Sequence, residues 1–181
     1  IVVGAGIVGA ACADAAAAAG LRVAIVESGR IGGGSTAAAM GHLVAMDDDP
    51  AELALSAYPL WLWEEFAPLP EAEFSRCGTL WVAREARELE AIPAKIQRLA
   101  AAGVHAEALD AQRLYQLEPA LVPGLAGGMR VAAEAVVYPP RMARYLVERA
   151  CAAGAQLYAG RRATALADAG VRLDDGSALH G

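Results

Sequence analysis

The sequence predicts an α/β fold that begins with a strand, a helix and a second strand in direct succession. Three observations lead to this prediction. The apolar residues 1–3 run straight into the glycine pattern Gly4-Ala5-Gly6-Ile7-Val8-Gly9. An alanine-rich stretch over residues 7–19 follows and favours a helix, which a glycine then terminates. A second apolar run over residues 23–26 is followed directly by Glu27.

The spacing of these glycines is typical of a Rossmann-like βαβ unit that binds a dinucleotide. Gly4 permits the tight turn from strand to helix, Gly6 lets a pyrophosphate approach the backbone, and Gly9 lets the helix pack closely on the sheet. The first N–H groups of the helix lack partners within it and carry partial positive charge, so a diphosphate is stabilised there. The alternative is a tight βαβ turn that binds no ligand.

Glu27 narrows the choice of nucleotide. It follows the glycines by about 20 residues, where a carboxylate can accept hydrogen bonds from ribose hydroxyls. The same carboxylate repels a 2′-phosphate, so NADP is disfavoured. The opening motif by itself leaves both NAD and FAD open.

Composition excludes several classes of function. The chain has 181 residues, of which 56% are hydrophobic, and its net charge of −6 argues against nucleic acid as a partner. We find no apolar stretch of about 18 residues without breakers or charges, so no transmembrane helix is expected. The three cysteines lack metal-ligand spacing, which suits reduced thiols and favours a cytoplasmic location.

No metal site is predicted, because HExxH, Walker A and paired CxxC motifs are absent from the sequence. The run Asp47-Asp48-Asp49 before Pro50 is the strongest candidate for a metal. We interpret it instead as the solvated start of a helix.

A middle segment over residues 42–138 is predicted to interrupt the nucleotide-binding domain, which comprises residues 1–41 and 139–181. The segment contains an expected helix over residues 50–67, with Tyr58, Trp61 and Trp63 on an aromatic face assigned to core packing. A charged amphipathic helix is predicted over residues 84–102. The chain starts inside a strand and stops after a hairpin, so we expect it to be truncated at both ends.

Four further segments accompany the opening motif, and the two that contain the serine/alanine/glycine loop and Tyr138-Pro139 are more specific than it. They are residues 34–43 (GSTAAAMGHL), Cys77-Gly78-Thr79-Leu80, Val136-Val137-Tyr138-Pro139-Pro140 and Asp175-Gly176-Ser177. Together with the opening glycines, they resemble the FAD-dependent D-amino-acid oxidase family, within it the branch of glycine oxidase and D-hydroxyproline dehydrogenase-like proteins. The resemblance covers essentially the whole chain but only the first half of the family's length. It implies a Rossmann-like FAD-binding domain interrupted by an α+β segment of a substrate domain.

The resemblance also implies FAD as the cofactor and a set of residues that contact it. The contacts are Gly4, Gly6, Ile7, Val8 and Gly9 for the pyrophosphate, Glu27 and Ser28 for the ribose, Ser35 and Thr36 for the diphosphate, Met40, Gly41 and His42 for the isoalloxazine ring, and Ala163 for adenine. Small residues in the segment 34–43 let backbone N–H groups approach the isoalloxazine ring. The hydroxyls of Ser35 and Thr36 can donate to phosphate oxygens. For His42, covalent attachment to the flavin, non-covalent proximity and a structural role all remain open.

The function that the resemblance implies is the oxidation of a D-amino or cyclic imino acid, with hydride transfer to the flavin. The alternatives are an FAD-binding module without turnover of its own and, more weakly, an NAD-dependent dehydrogenase. In the family, an arginine from the second half of the chain holds the substrate carboxylate, so no catalytic residue is assigned here. An oligomer or a partner subunit is a further expectation, because a truncated flavoprotein exposes apolar surface.

Overall fold

The structure is a computed structural model that describes residues 1–46, 49–167 and 169–181. It divides into two compact units, which we call the first unit (Ile1–Gly41 and Tyr138–Gly181) and the second unit (His42–Val137).

Strands and helices alternate along much of the described chain. The strands are β1 Val2–Val3, β2 Ala24–Glu27, β3 His42–Leu43, β4 Thr79–Ala83, β5 Glu107–Asp110, β6 Gly127–Val131, β7 Ala135–Val136, β8 Gln156–Ala159, β9 Ala163–Ala167, β10 Gly170–Leu173 and β11 Ala178–His180. The helices are α1 Ile7–Ala18, α2 Ser35–Ala38, α3 Pro50–Leu62, α4 Ala86–Leu89, α5 Ile92–Ala101, α6 Ala111–Leu117 and α7 Pro139–Ala152. A short 3₁₀ helix, Trp63–Glu65, follows α3.

The first unit is built on a parallel sheet in the order β1-β2-β8. Val2 pairs with Ile25, and Ala24 pairs with Gln156, so both sequence segments of the first unit contribute to one sheet. Helices α1 and α7 pack against each other, and the small side chain of Ala10, fully buried in α1, permits a close approach. Strands β9, β10 and β11 form a separate antiparallel sheet. The predicted α/β fold is therefore confirmed.

The second unit combines an antiparallel sheet with helices. Strand β6 lies at the centre of the order β4-β6-β5, and β3 pairs with β7. Leu53 of α3 and Leu99 of α5 are buried with Met129 of β6 in one apolar cluster. The buried carboxylate of Glu134 accepts a hydrogen bond from the N–H of Ala45 at 2.7 Å, so a polar contact fixes the segment after β3.

Two predicted helices of the second unit differ from the structure. The helix expected over residues 50–67 ends at Leu62. The charged helix expected over residues 84–102 is divided into α4 and α5, because Pro93 lies in the first turn of α5. A proline lacks a backbone N–H, which a helix tolerates in its first turn but not in its interior, so a new helix begins there.

The prediction that the aromatic face of α3 packs in the core is wrong for Tyr58 and Trp61, which are each 57% exposed. The core-facing stripe of α3 instead consists of Leu53, Ala57 and Leu60, at spacings of four and three residues. The two rings lie one position beyond Ala57 and Leu60 and contact each other edge to face. Trp63 is half-buried in the 3₁₀ helix.

The interpretation of the aspartate run as a helix start is confirmed for Asp49. Its carboxylate caps α3 by accepting hydrogen bonds from the N–H groups of Ala51 and Glu52 at 2.7 and 3.2 Å. Asp47 and Asp48 lie outside the described residues. Across the part of the chain that the structure describes, no group of three or more His, Cys, Asp or Glu side chains is placed to hold a metal ion. No described helix is both long enough and apolar enough to cross a membrane.

Candidate functional site

The glycine turn between β1 and α1 requires glycine at its first and last positions. Gly4 has a φ of +96°, which residues with a side chain rarely adopt, and its N–H donates to the carbonyl of Val26 at 2.8 Å. A Cβ on Gly9 would lie 2.0 Å from the carbonyl oxygen of Gly4. Helix α1 therefore approaches the turn more closely than any side chain at position 9 would allow.

The first turn of α1 contacts Thr36 of the short helix α2, which follows β2 in sequence. The N–H of Ile7 donates to Oγ1 of Thr36 at 2.9 Å, and Thr36 is buried. The N–H of Ile7, which lacks a partner within α1, therefore has one outside the helix. The hydroxyl hydrogen of Thr36 is still available as a donor. Val8, the next residue of the helix, is 74% exposed.

Glu27 is held by two backbone groups at the carboxyl end of β2. Its Oε2 accepts from the N–H of Ala5 at 2.7 Å, and its Oε1 accepts from the N–H of Gly29 at 2.6 Å. An ionised carboxylate has about four acceptor positions, so both oxygens keep capacity for another donor. The carboxylate is thus fixed in position while remaining able to receive hydroxyl groups.

Two cavities meet at Glu27. The first has a volume of about 230 Å³ and is lined by Val3, Gly4, Val26, Glu27, Ser28, Arg161, Arg162 and Ala163. The second has a volume of about 400 Å³ and is lined by Glu27, Gly29, Arg30, Gly33 and Gly34. Four of the predicted contact residues, Gly4, Glu27, Ser28 and Ala163, therefore lie around one cavity.

Sequence reasoning missed the arginines of these cavities. The backbone N–H of Arg161 donates to the carbonyl of Glu27 at 3.1 Å, and its guanidinium pairs with Asp175 at 3.2 Å. Hydrogen bonds from Ser177, and more weakly the charge of Arg161, hold the pKa of Asp175 below its usual value. The sequence signal that could have indicated Arg161 and Arg162 is that two basic residues directly precede Ala163, close to the carboxyl end of β8.

The remaining predicted contact residues line neither cavity. Ser35 opens the one-turn helix α2 and is exposed, and Met40 is 78% exposed. Gly41 is buried with a φ of +72°. His42 is the first residue of β3 in the second unit, and it is exposed. Their assignment to the diphosphate and the isoalloxazine ring stays a prediction.

Comparison with known proteins identifies the family to which the chain belongs. Residues 1–180 match the family described as FAD dependent oxidoreductase (DAO), and the chain belongs to that family. FAD is the cofactor of the family, so the prediction of FAD is confirmed, as is the resemblance from which it came.

Solved structures agree with this membership. Glycine oxidase from Geobacillus kaustophilus is 26% identical with a TM-score of 0.84, and the match covers 98% of this chain and 51% of that one. Iminodiacetate oxidase (IdaA) from Chelativorans sp. BNC1 is 25% identical with a TM-score of 0.80, covering 99% and 52%. L-proline dehydrogenase from P. horikoshii, at 20% identity, a TM-score of 0.89 and coverage of 98% and 49%, shares the fold. The chain therefore spans about half the length of these proteins.

Proposed function

We propose that this chain holds FAD at the carboxyl ends of β1 and β2 and contributes to the oxidation of a small amine that carries a carboxylate. The observation that supports this most directly is the position of Glu27. Its carboxylate is fixed by the N–H groups of Ala5 and Gly29, borders two cavities and keeps acceptor capacity. That is the arrangement a ribose diol needs from a protein acceptor.

Each part of the nucleotide has residues of suitable chemistry in this chain. We assign the adenosine to the cavity of Glu27, Ser28 and Ala163. The diphosphate is assigned to the start of α1, where the missing side chains of Gly4 and Gly6 leave the backbone open, and to the hydroxyl of Thr36. A Cβ on Gly6 would lie 3.0 Å from Thr36 Oγ1 and would crowd that donor.

The chemistry of the reaction would come from the cofactor, which when bound would supply a hydride acceptor for oxidation at the carbon beside the amine. The chain's own residues bind and orient it, and no general base among them is required. We assign the segment Met40-Gly41-His42 to non-covalent contact with the isoalloxazine ring, because Gly41 at a φ of +72° turns the backbone there. The arginine that suits a substrate carboxylate is expected in the part of the family's length that this chain does not span.

The substrate that we propose is a D-amino acid, a cyclic imino acid or glycine. Support comes from the names of two similar structures, glycine oxidase and iminodiacetate oxidase, because both named substrates are small amines with a carboxylate. The second candidate function is an FAD-binding module that needs another polypeptide for turnover. It is favoured by the cavities at Glu27, which suit a nucleotide, while no catalytic residue is assigned in this chain.

The visible spectrum of the purified protein tests this proposal. We expect flavin absorbance, and we expect it to bleach when glycine, D-proline or hydroxy-D-proline is added without oxygen. L-proline is the stereochemical control. Flavin that none of these compounds bleaches would favour the module. A colourless protein that binds NAD would contradict both flavin functions.

Replacing Glu27 with alanine is expected to weaken FAD binding by about 1–3 kcal/mol, as for the loss of hydrogen bonds to a charged group. Glu27→Gln should have a smaller effect, because the amide keeps one acceptor oxygen. Equilibrium titration of the flavin-free protein with FAD measures both. Glu148→Ala, which changes an exposed glutamate of α7, is the matched control and should leave the affinity unchanged. Equal affinities of Glu27→Ala and the unaltered protein would contradict the ribose assignment.

A further inference from the structure

The cavity of about 230 Å³ that we assign to the adenosine is lined by two arginines, whose guanidinium groups differ in their partners. Nη1 of Arg161 lies 3.2 Å from Oδ2 of Asp175. Oδ1 of the same carboxylate accepts from the N–H and the hydroxyl of Ser177 at 3.0 and 2.6 Å, so the partner of Arg161 is itself fixed. Across the described residues, the guanidinium of Arg162 has no hydrogen-bond or ion-pair partner. Arg162 is therefore available to a ligand in this cavity.

Hydrogen bonds fix the backbone on both sides of Arg162. Its carbonyl accepts from the N–H of Asp174 at 2.9 Å, and the N–H of the preceding residue, Arg161, donates to the carbonyl of Glu27 at 3.1 Å. Ala163, directly after it, begins β9. The side chain of Arg162 therefore starts from a fixed point beside the cavity, and only its own torsions need to be ordered when a ligand binds.

The other walls of the cavity suit a nucleoside. Glu27 supplies a fixed carboxylate for ribose hydroxyls, Val3 adds an apolar side chain that is 57% exposed, and Gly4 adds backbone without a side chain. Beyond its ribose, an adenosine presents a flat purine with two aromatic faces. A guanidinium is planar and stacks on such faces, and its positive charge is attracted to their π electrons.

We propose that the guanidinium of Arg162 stacks on the adenine ring of FAD, an inference that rests on the proposed function. Ala163 is the residue that the family resemblance assigns to adenine, and Arg162 adds a flat cationic surface that the resemblance does not imply. The contact should contribute to the binding of any ligand that carries the adenosine, with or without a flavin. Arg162 is a positioning residue for the cofactor and takes no part in hydride transfer.

Equilibrium titration of the flavin-free protein with FAD and, separately, with ADP tests this inference. ADP carries the adenine, the ribose and the diphosphate but no flavin, so it reports on the adenosine end alone. We expect Arg162→Ala to weaken the binding of both ligands by about fivefold, the scale of a cation–π contact at a partly exposed site. Arg172→Ala removes the same charge from an exposed position of β10 and is the matched control, which should leave both affinities unchanged.

Two further variants separate stacking on adenine from attraction to a phosphate. Arg162→Phe keeps a flat surface without the charge and should bind ADP within about twofold of the unaltered protein. Arg162→Lys keeps the charge without the plane and should recover less of the lost affinity. An alanine variant with unaltered affinity for ADP, or a lysine variant that binds ADP more tightly than the phenylalanine variant, overturns the inference. The proposed function fails on a different signal, the absence of flavin absorbance or of its bleaching in the unaltered protein.

Discussion

Replacing Gly9 with alanine is expected to abolish FAD binding and to destabilise the first unit. The added Cβ would lie 2.0 Å from the carbonyl oxygen of Gly4 and 3.3 Å from Cγ1 of Val2. The closest neighbour is backbone and cannot rotate away, so α1 must move off the turn. Because that movement displaces the N-terminus of α1 assigned to the diphosphate, it affects both binding and stability. The stability loss should reach the upper part of the range of about 1–3 kcal/mol for overpacking.

Flavin absorbance per protein and urea unfolding measure these two effects. Gly20→Ala is the matched control, since Gly20 follows the same helix and a Cβ there would meet no atom within 4 Å. Its φ of +78° means that alanine should cost about 1–2 kcal/mol in stability without loss of flavin. A Gly9→Ala protein that retains full flavin at unaltered affinity would contradict the role assigned to this contact.

Replacing Asp14 with alanine is expected to lower the free energy of unfolding by about 2–3 kcal/mol. Asp14 is 8% exposed at the packing of α1 on α7. Its two carboxylate oxygens accept hydrogen bonds from Nε and Nη2 of Arg149 at 2.7 and 2.5 Å. These bonds raise the pKa of Arg149 above its usual value. The loss should stay below that for a fully buried pair, because the side chain of Arg149 is 37% exposed.

The exposed ion pair of Arg76 and Glu64 in the second unit provides a comparison for the pair of Asp14 and Arg149. Arg76 contacts both carboxylate oxygens of Glu64, at 2.6 and 2.7 Å, but these side chains are 41% and 52% exposed. Glu64→Ala should therefore cost less than about 1 kcal/mol. Urea unfolding of both variants measures the difference. Equal losses would show that burial of Asp14 does not determine the strength of its pair.

The parts of the fold that local chemistry determines were predictable from the sequence. The helix expected over residues 7–19 forms as Ile7–Ala18, since alanine favours it and Gly20 ends it. Helix α6 begins at Ala111 because Asp110 caps its start, accepting from the N–H of Arg113 at 2.7 Å. Such signals lie within a few residues of the structure that they determine.

The features that depend on distant pairing were not predictable in the same way. Thr36 caps α1 from a position 29 residues away from Ile7, and no local pattern indicates that contact. The arginines beside Glu27 reach it because β8 pairs with β2, with Ala159 opposite Glu27. The hydroxyl of Thr36 in α2 and the two basic residues after β8 become site residues only when the sheet is assembled.

The pairing of β3 with β7 has a consequence for how the chain folds. Strand β2 ends at Glu27 and β8 begins at Gln156, so the parallel sheet of the first unit must close a very long loop. Closing a loop costs about 0.6 kcal/mol more for each doubling of its length. The pair His42–Val136 joins the two ends of the second unit and thereby shortens that loop to its flanking segments. Once the second unit has folded, the effective loop between β2 and β8 is short. The entropic cost of pairing these two strands then falls accordingly.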